Sequence, residues 1–199
     1  MKNLMKFCLA LAVFFTVAAA NAGENSSIRV KEGMGKVISF TMDEVANVHV
    51  AIYNAEGNEL FAENLQSKEG KAINRTYDLT AFPEGTYFIE TETGSKVLRH
   101  EVVINSENAV VSEKTSQIYK PVVTKDDKGI ITLNIFNAEK TPVQIIIYDE
   151  NNTELYNEKV AAGETKLTKR FDVSKINAKN FTLVTKYNNK LFTEAVAAR

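Results

Sequence analysis

The chain has 199 residues, with 24 Lys plus Arg set against 25 Asp plus Glu, two histidines, one cysteine and no tryptophan. The charges are interspersed without long runs of one sign, so no electrostatic stripe offers itself to a phosphate backbone, and nucleic acid is excluded as a partner. The one cysteine, Cys8, lies in the apolar N-terminal stretch, which removes disulfides, thiolate metal sites and cysteine nucleophiles from the rest of the chain.

Residues 1–22 read as a secretory signal peptide. Lys2 and Lys6 give a basic start, Phe7 to Ala20 an apolar stretch, and Ala20-Asn21-Ala22 a small-residue end, with cleavage expected before Gly23. The apolar stretch is short for a bilayer span, so no membrane span is expected after cleavage. Cys8 lacks the small apolar box of a lipid-attachment cysteine.

From Ile28 onward the apolar residues alternate with period two, which specifies strands. Ile28-Arg29-Val30 opens the first of them and Val37-Ile38-Ser39-Phe40 follows. In Val48-His49-Val50-Ala51-Ile52-Tyr53, the side chains of Val48, Val50 and Ile52 share an inward face, leaving His49, Ala51 and Tyr53 on the outer one. Asn54-Ala55-Glu56-Gly57-Asn58 should close a hairpin with Gly57 in the left-handed conformation. Pro83-Glu84-Gly85-Thr86-Tyr87 has the form of a turn leading into a tyrosine corner, in which the phenol bonds back to the backbone. Residues 105–116 are polar and weakly patterned and are expected to be a linker.

The remainder repeats what came before. Ile52-Tyr53 returns as Ile147-Tyr148, a shift of 95 positions, and Val37-Ile38 as Ile130-Ile131, a shift of 93. Tyr77-Asp78-Leu79 matches Phe171-Asp172-Val173, and Lys96-Val97-Leu98 matches Lys190-Leu191-Phe192, both at 94. Val143, Ile145 and Ile147 restore the inward set. Asn152 takes the place of Gly57, and asparagine also tolerates positive φ. Asp126-Asp127-Lys128-Gly129 gives a second hairpin signal. Phe181 stands where the corner Tyr87 was, so the second copy loses that hydroxyl. The expected fold is therefore all-β: two tandem immunoglobulin- or fibronectin-like antiparallel sandwiches after a signal peptide, with copy one at 23–104, the linker at 105–116 and copy two at 117–199. At roughly 80 residues, each copy alone would bury only about 60 to 65% of its unfolded surface.

Candidate chemistry is sparse. His49 reads as a surface-strand residue, while His100, among Leu98, Val102 and Ile104, reads as a satisfied and partly buried imidazole. Their counterparts are Gln144 and Glu194. Asp149 to Glu154 has oxygen donors at alternate positions, but a helical calcium loop would need glycine and glutamate where Glu154 and Val160 stand. Hairpin-turn chemistry is the better reading, and weak calcium binding there stays open. Tyr53, Phe61, Tyr148 and Tyr156 could stack on a sugar or peptide. Without tryptophan, however, coverage of strand edges is the plainer explanation, and carbohydrate binding is not favoured. No catalytic, cofactor-binding or metal-ligating residue is assigned, and the chain is read as not an enzyme.

The residues Val50-Ala51-Ile52-Tyr53-Asn54-x-x-Gly57, Tyr77-Asp78-Leu79, Pro83 to Ile89 and the closing Val102-Val103-Ile104 resemble the C-terminal sorting domain of the type IX secretion system of Bacteroidota. That resemblance implies a small β-sandwich in an exported protein found in the periplasm, at the cell surface or outside the cell. It also implies a protein partner or the secretion machinery itself as what the chain meets. Two readings of function follow. One is a non-enzymatic exported interaction or envelope-structural module built from duplicated sandwiches. The other is a small secreted cargo, copy one, carrying copy two as a divergent sorting domain, although copy two has Ala178-Lys179-Asn180-Phe181 where the family has its glycine and tyrosine.

Overall fold

The computed structural model describes residues 26–43, 46–68 and 70–197. The signal peptide expected at 1–22 lies outside the described residues. In chain order the strands are β1 (Ser26–Val30), β2 (Val37–Met42), β3 (Asn47–Asn54), β4 (Glu59–Gln66), β5 (Ile73–Asp78), β6 (Gly85–Glu92), β7 (Lys96–Ile104) and β8 (Ala109–Tyr119). They continue with β9 (Val122–Lys125), β10 (Ile130–Phe136), β11 (Val143–Asp149), β12 (Glu154–Val160), β13 (Lys166–Asp172), β14 (Asn180–Tyr187) and β15 (Lys190–Ala197). Among the described residues no helix is long and apolar enough to cross a membrane.

The strands form four antiparallel sheets ordered β1-β2-β5, β4-β3-β6-β7-β8, β9-β10-β13 and β12-β11-β14-β15. The first two enclose one core, built on Ile38, Phe40, Met42, Val50, Ile52, Ile89 and Val102. The second two enclose another, built on Ile131, Leu133, Ile145, Ile147, Phe181 and Leu183. The alternation that marked these segments as strands is what fills the cores: Val48, Val50 and Ile52 are buried, as are Val143, Ile145 and Ile147. The fold is the expected pair of tandem β-sandwiches, with β1–β7 answered by β9–β15.

The turns follow their sequence chemistry. Gly57 has φ of 84° and Asn152 has φ of 61°, so the two hairpins turn through the same left-handed residue. Asp126 Oδ1 accepts from the amides of Lys128 and Ile130, and Gly129 has φ of 79°. The tyrosine corner is present. The Tyr87 hydroxyl donates to the Pro83 carbonyl at 2.8 Å, with Phe82 edge-on to the ring at 5.3 Å, whereas Phe181 is fully buried without a hydroxyl to place.

Three expectations are corrected. The segment 105–116 is mostly strand, because from Ala109 onward the chain pairs with β7 as β8. A register shift between His100 and Val102 breaks the period-two pattern there, and four successive exposed residues, Glu113 to Ser116, hide what remains of it. Ala109 is nevertheless buried in the first core, and Ile118 packs against the second. Ala51, expected on an outer face, is buried, since it lies between Ala62 and Glu90 on the neighbouring strands, where Glu90 is itself buried. His100 is buried as expected, but its Nδ1 has no hydrogen-bond partner among the described residues.

Gly35 ties the first loop to the β7–β8 turn. Its carbonyl accepts from the Ala109 amide at 2.6 Å, and a Cβ there would stand 2.4 Å from the Glu107 carbonyl oxygen. Only glycine allows this approach of two backbones.

Candidate interaction surfaces

His49 and Asp149 are occupied in holding the fold. His49 Nδ1 lies 2.9 Å from Asn64 Oδ1 on the adjacent strand, and burial pushes the His100 imidazole below its usual pKa. The two histidines stand on different strands, β3 and β7. Asp149 Oδ1 accepts from the amides of Asn151 and Thr153, both at 2.8 Å, so this carboxylate organises its own turn. Those amides hold its pKa below the usual carboxylate range, that of Thr153 foremost. Among the described residues no group of three or more His, Cys, Asp or Glu is placed to hold a metal ion.

The hairpin aromatics form a repeated clasp, which sequence reasoning missed. In copy one, Phe61 on β4 meets Tyr77 on β5 edge-on at 5.8 Å. The Tyr77 hydroxyl donates to Glu63 at 2.9 Å, and Arg75 lies 3.7 Å from the same carboxylate. In copy two, Tyr156 on β12 meets Phe171 on β13 at 5.0 Å, the Tyr156 hydroxyl donates to Glu158, and Lys169 bridges to Glu158 at 2.8 Å. The phenol has changed strands while the carboxylate and the cation have kept theirs. Each clasp joins an edge strand of one sheet to an edge strand of the other and so closes one side of its sandwich. Hydrogen bonding to Glu158, the largest cause, pushes the Tyr156 phenol up to about 12, while Lys169 and Tyr156 together hold Glu158 below the usual carboxylate range.

Where the copies meet, Tyr53, Glu90, Arg99, Asn188, Asn189 and Lys190 line a polar cleft of about 340 Å³. Glu90 is only 5% exposed. It is held by Arg99 of the same sheet at 3.3 Å and by Lys190 of the other copy. Arg99 also lies 3.8 Å over the Phe88 ring. Burial, with Glu90 and Glu59 nearby, pushes the Tyr53 phenol up to about 12. The Tyr187 hydroxyl of the second copy donates to the Tyr119 carbonyl at the end of β8. Val97 of β7 joins the second core, so the junction is apolar as well as ionic. Beside it, Tyr119, Pro121, Val122, Phe136 and Leu167 line an apolar groove, with Tyr119 and Phe136 edge-on at 5.1 Å.

Among the described residues the two large sheets end in strands paired on one side only: β4 and β8 in one, β12 and β15 in the other. Leu60 and Leu155, equivalent positions on β4 and β12, are exposed, and Leu191 on β15 is 62% exposed. An unpaired edge presents backbone donors and acceptors in a row, ready for another strand.

Fold and surfaces together define a class: tandem antiparallel sandwiches with free edges and a fixed junction. Within it, residues 15–105 match the family model of the secretion system C-terminal sorting domain. Copy one therefore resembles the type IX sorting domains, as its own residues lead one to expect. The match ends where β7 closes and includes neither β8 nor the second copy. The family is of a non-catalytic kind and its description ties it to export. No curated protein matches the chain at a significant level. A solved structure of a biofilm associated protein, its BSP domain, aligns with 87% of this chain at 17% identity and a TM-score of 0.28. The alignment spans 29% of that structure's length, and a TM-score so low supports no argument.

Proposed function

We propose that the chain is an exported, non-enzymatic interaction or envelope-structural module of two sandwich units, which meets its protein partners along free strand edges and hairpin tips. The sorting-domain match supports export and supports the secretion machinery as one thing the chain encounters. The observation that carries the interaction role is the set of unpaired edges with exposed leucines at Leu60, Leu155 and Leu191, beside polar groups already committed to clasps, turns and the junction. Strand addition at such an edge gains affinity from backbone hydrogen bonds and selectivity from alternate side chains. The match falls on copy one, so a sorting role for copy two draws no support from it.

The test is cross-linking of the protein in its own host envelope. A combined Leu60→Lys, Leu155→Lys and Thr193→Pro variant, secreted and melting like the parent, should lose the partner complexes that the parent forms. Unchanged complexes would refute the interaction role.

A further inference from the structure

The duplication leaves one strand without its counterpart. Strand β7 lies between β6 and β8, whereas its equivalent β15 has β14 on one side and, among the described residues, nothing on the other. Leu191 on this open strand is 62% exposed, whereas its counterpart Val97 is buried in the core of the second copy.

The open backbone groups can be assigned. Asn188 and Asn189 both have positive φ, 49° and 58°, so they form the two-residue primed turn of the β14–β15 hairpin, and Tyr187 and Lys190 make its hydrogen-bonded pair. The register then runs without a shift to Ala197, so Leu191, Thr193 and Ala195 turn their amides and carbonyls away from β14. Copy one gives the same phase independently. The Lys120 amide donates to the Ser95 carbonyl, which makes Val97 and Arg99, the counterparts of Leu191 and Thr193, the residues bonded to β8. The side chains at these open positions of β15, Leu191, Thr193 and Ala195, carry no charge to guard the edge.

The other face of β15 specifies what can dock. Glu194 replaces the buried His100, is exposed, and has no cation within bridging distance among the described residues. A strand laid beside β15 would cover this carboxylate, so an uncharged or acidic strand would be penalised and one with a cation directly opposite would be favoured.

We propose that the free edge of β15 binds an antiparallel strand of a separate protein chain that sets an apolar residue opposite Leu191 and a lysine or arginine opposite Glu194. Such a strand would do for copy two what β8 does for copy one. The inference deepens the interaction role proposed above and rests on it.

The probe is a synthetic peptide of residues 109–119 with Thr115→Lys, because Thr115 stands opposite His100 in the β7–β8 register and would therefore place its ammonium opposite Glu194. Titrated onto the full mature chain and followed by amide NMR, it should perturb β15. Thr193→Pro removes an outward amide, which an edge strand tolerates, and should abolish binding without lowering the melting temperature. Glu194→Lys should weaken binding about tenfold, and a peptide with Thr115→Glu should restore it to that variant. Binding unaffected by Thr193→Pro, or indifferent to the charge exchange, would overturn the proposal. Dimers of the chain that Thr193→Pro dissolves would overturn it in favour of a second copy as occupant. If Thr193→Pro alone leaves the envelope complexes intact while the triple variant removes them, the interaction role stands and the β15 site falls.

Discussion

Glu90 of the first sandwich and Lys190 of the second form an ion pair across the junction, on a carboxylate that Arg99 also holds. Because Glu90 is nearly buried, losing its charge leaves two cations facing each other at the cleft. Glu90→Leu should therefore destabilise the protein by about 1–2 kcal/mol, less than a wholly buried pair because Lys190 and Arg99 are partly exposed. Lys190→Ala should cost less, since Arg99 remains. Urea unfolding of both variants checks the order. Equal effects would mean that Arg99 contributes nothing to holding Glu90.

The clasps predict a compensating exchange. Tyr156→Phe removes the hydroxyl that donates to Glu158 and should cost about 1 kcal/mol. Adding Phe171→Tyr recreates the arrangement of copy one, where the phenol lies on the strand of Tyr77, and should recover part of that loss. Thermal melts of the single and double variants make a cycle, and additive losses would show that the two phenol positions are not equivalent.

Thr91 and Thr185 are equivalent residues, 94 positions apart, and both are buried with hydroxyls that have no partner among the described residues. Replacing each with valine keeps the shape and removes an unsatisfied polar group. Thr91→Val and Thr185→Val should each stabilise by about 1 kcal/mol, read as a higher urea midpoint at unchanged slope.

His100 couples stability to pH. Burial lowers its pKa in the folded state, so below its unfolded value of about 6.5 the unfolded chain binds more protons. Stability is thus complete above that value and is lost as pH falls from it towards the folded pKa, by at most about 1.4 kcal/mol per pH unit. The melting temperature should drop between pH 6.5 and 5.5, and His100→Leu should flatten that drop.

Much of the fold was legible because its cause is local. Period-two alternation placed the inward residues of β3 and β11, and the tolerance of Gly57 and Asn152 for positive φ placed both hairpins. The corner at Tyr87 needed only its own turn. What was missed depends on partners distant in sequence. Strand β8 is polar where it crosses the β7 bulge, and its pairing with β7 rather than its own pattern makes it a strand. Ala51 is buried by its neighbours, and neither Glu90 nor Lys190 carries a sign of the other, 100 positions away. The clasp had a signal: aromatic, carboxylate and cation recur at Phe61, Glu63 and Arg75 and at Tyr156, Glu158 and Lys169. Aligning the copies for charge as well as hydrophobicity would have found it.

The proposed function requires that both sandwiches be exported together and stay on one chain. The intact mass of the native protein from the periplasmic, outer-membrane and medium fractions of its host tests this most directly. A chain beginning at Gly23, retaining both copies and held in the envelope, is the predicted result. A surface or medium form lacking the second sandwich would contradict the claim and make that sandwich a sorting signal removed on export.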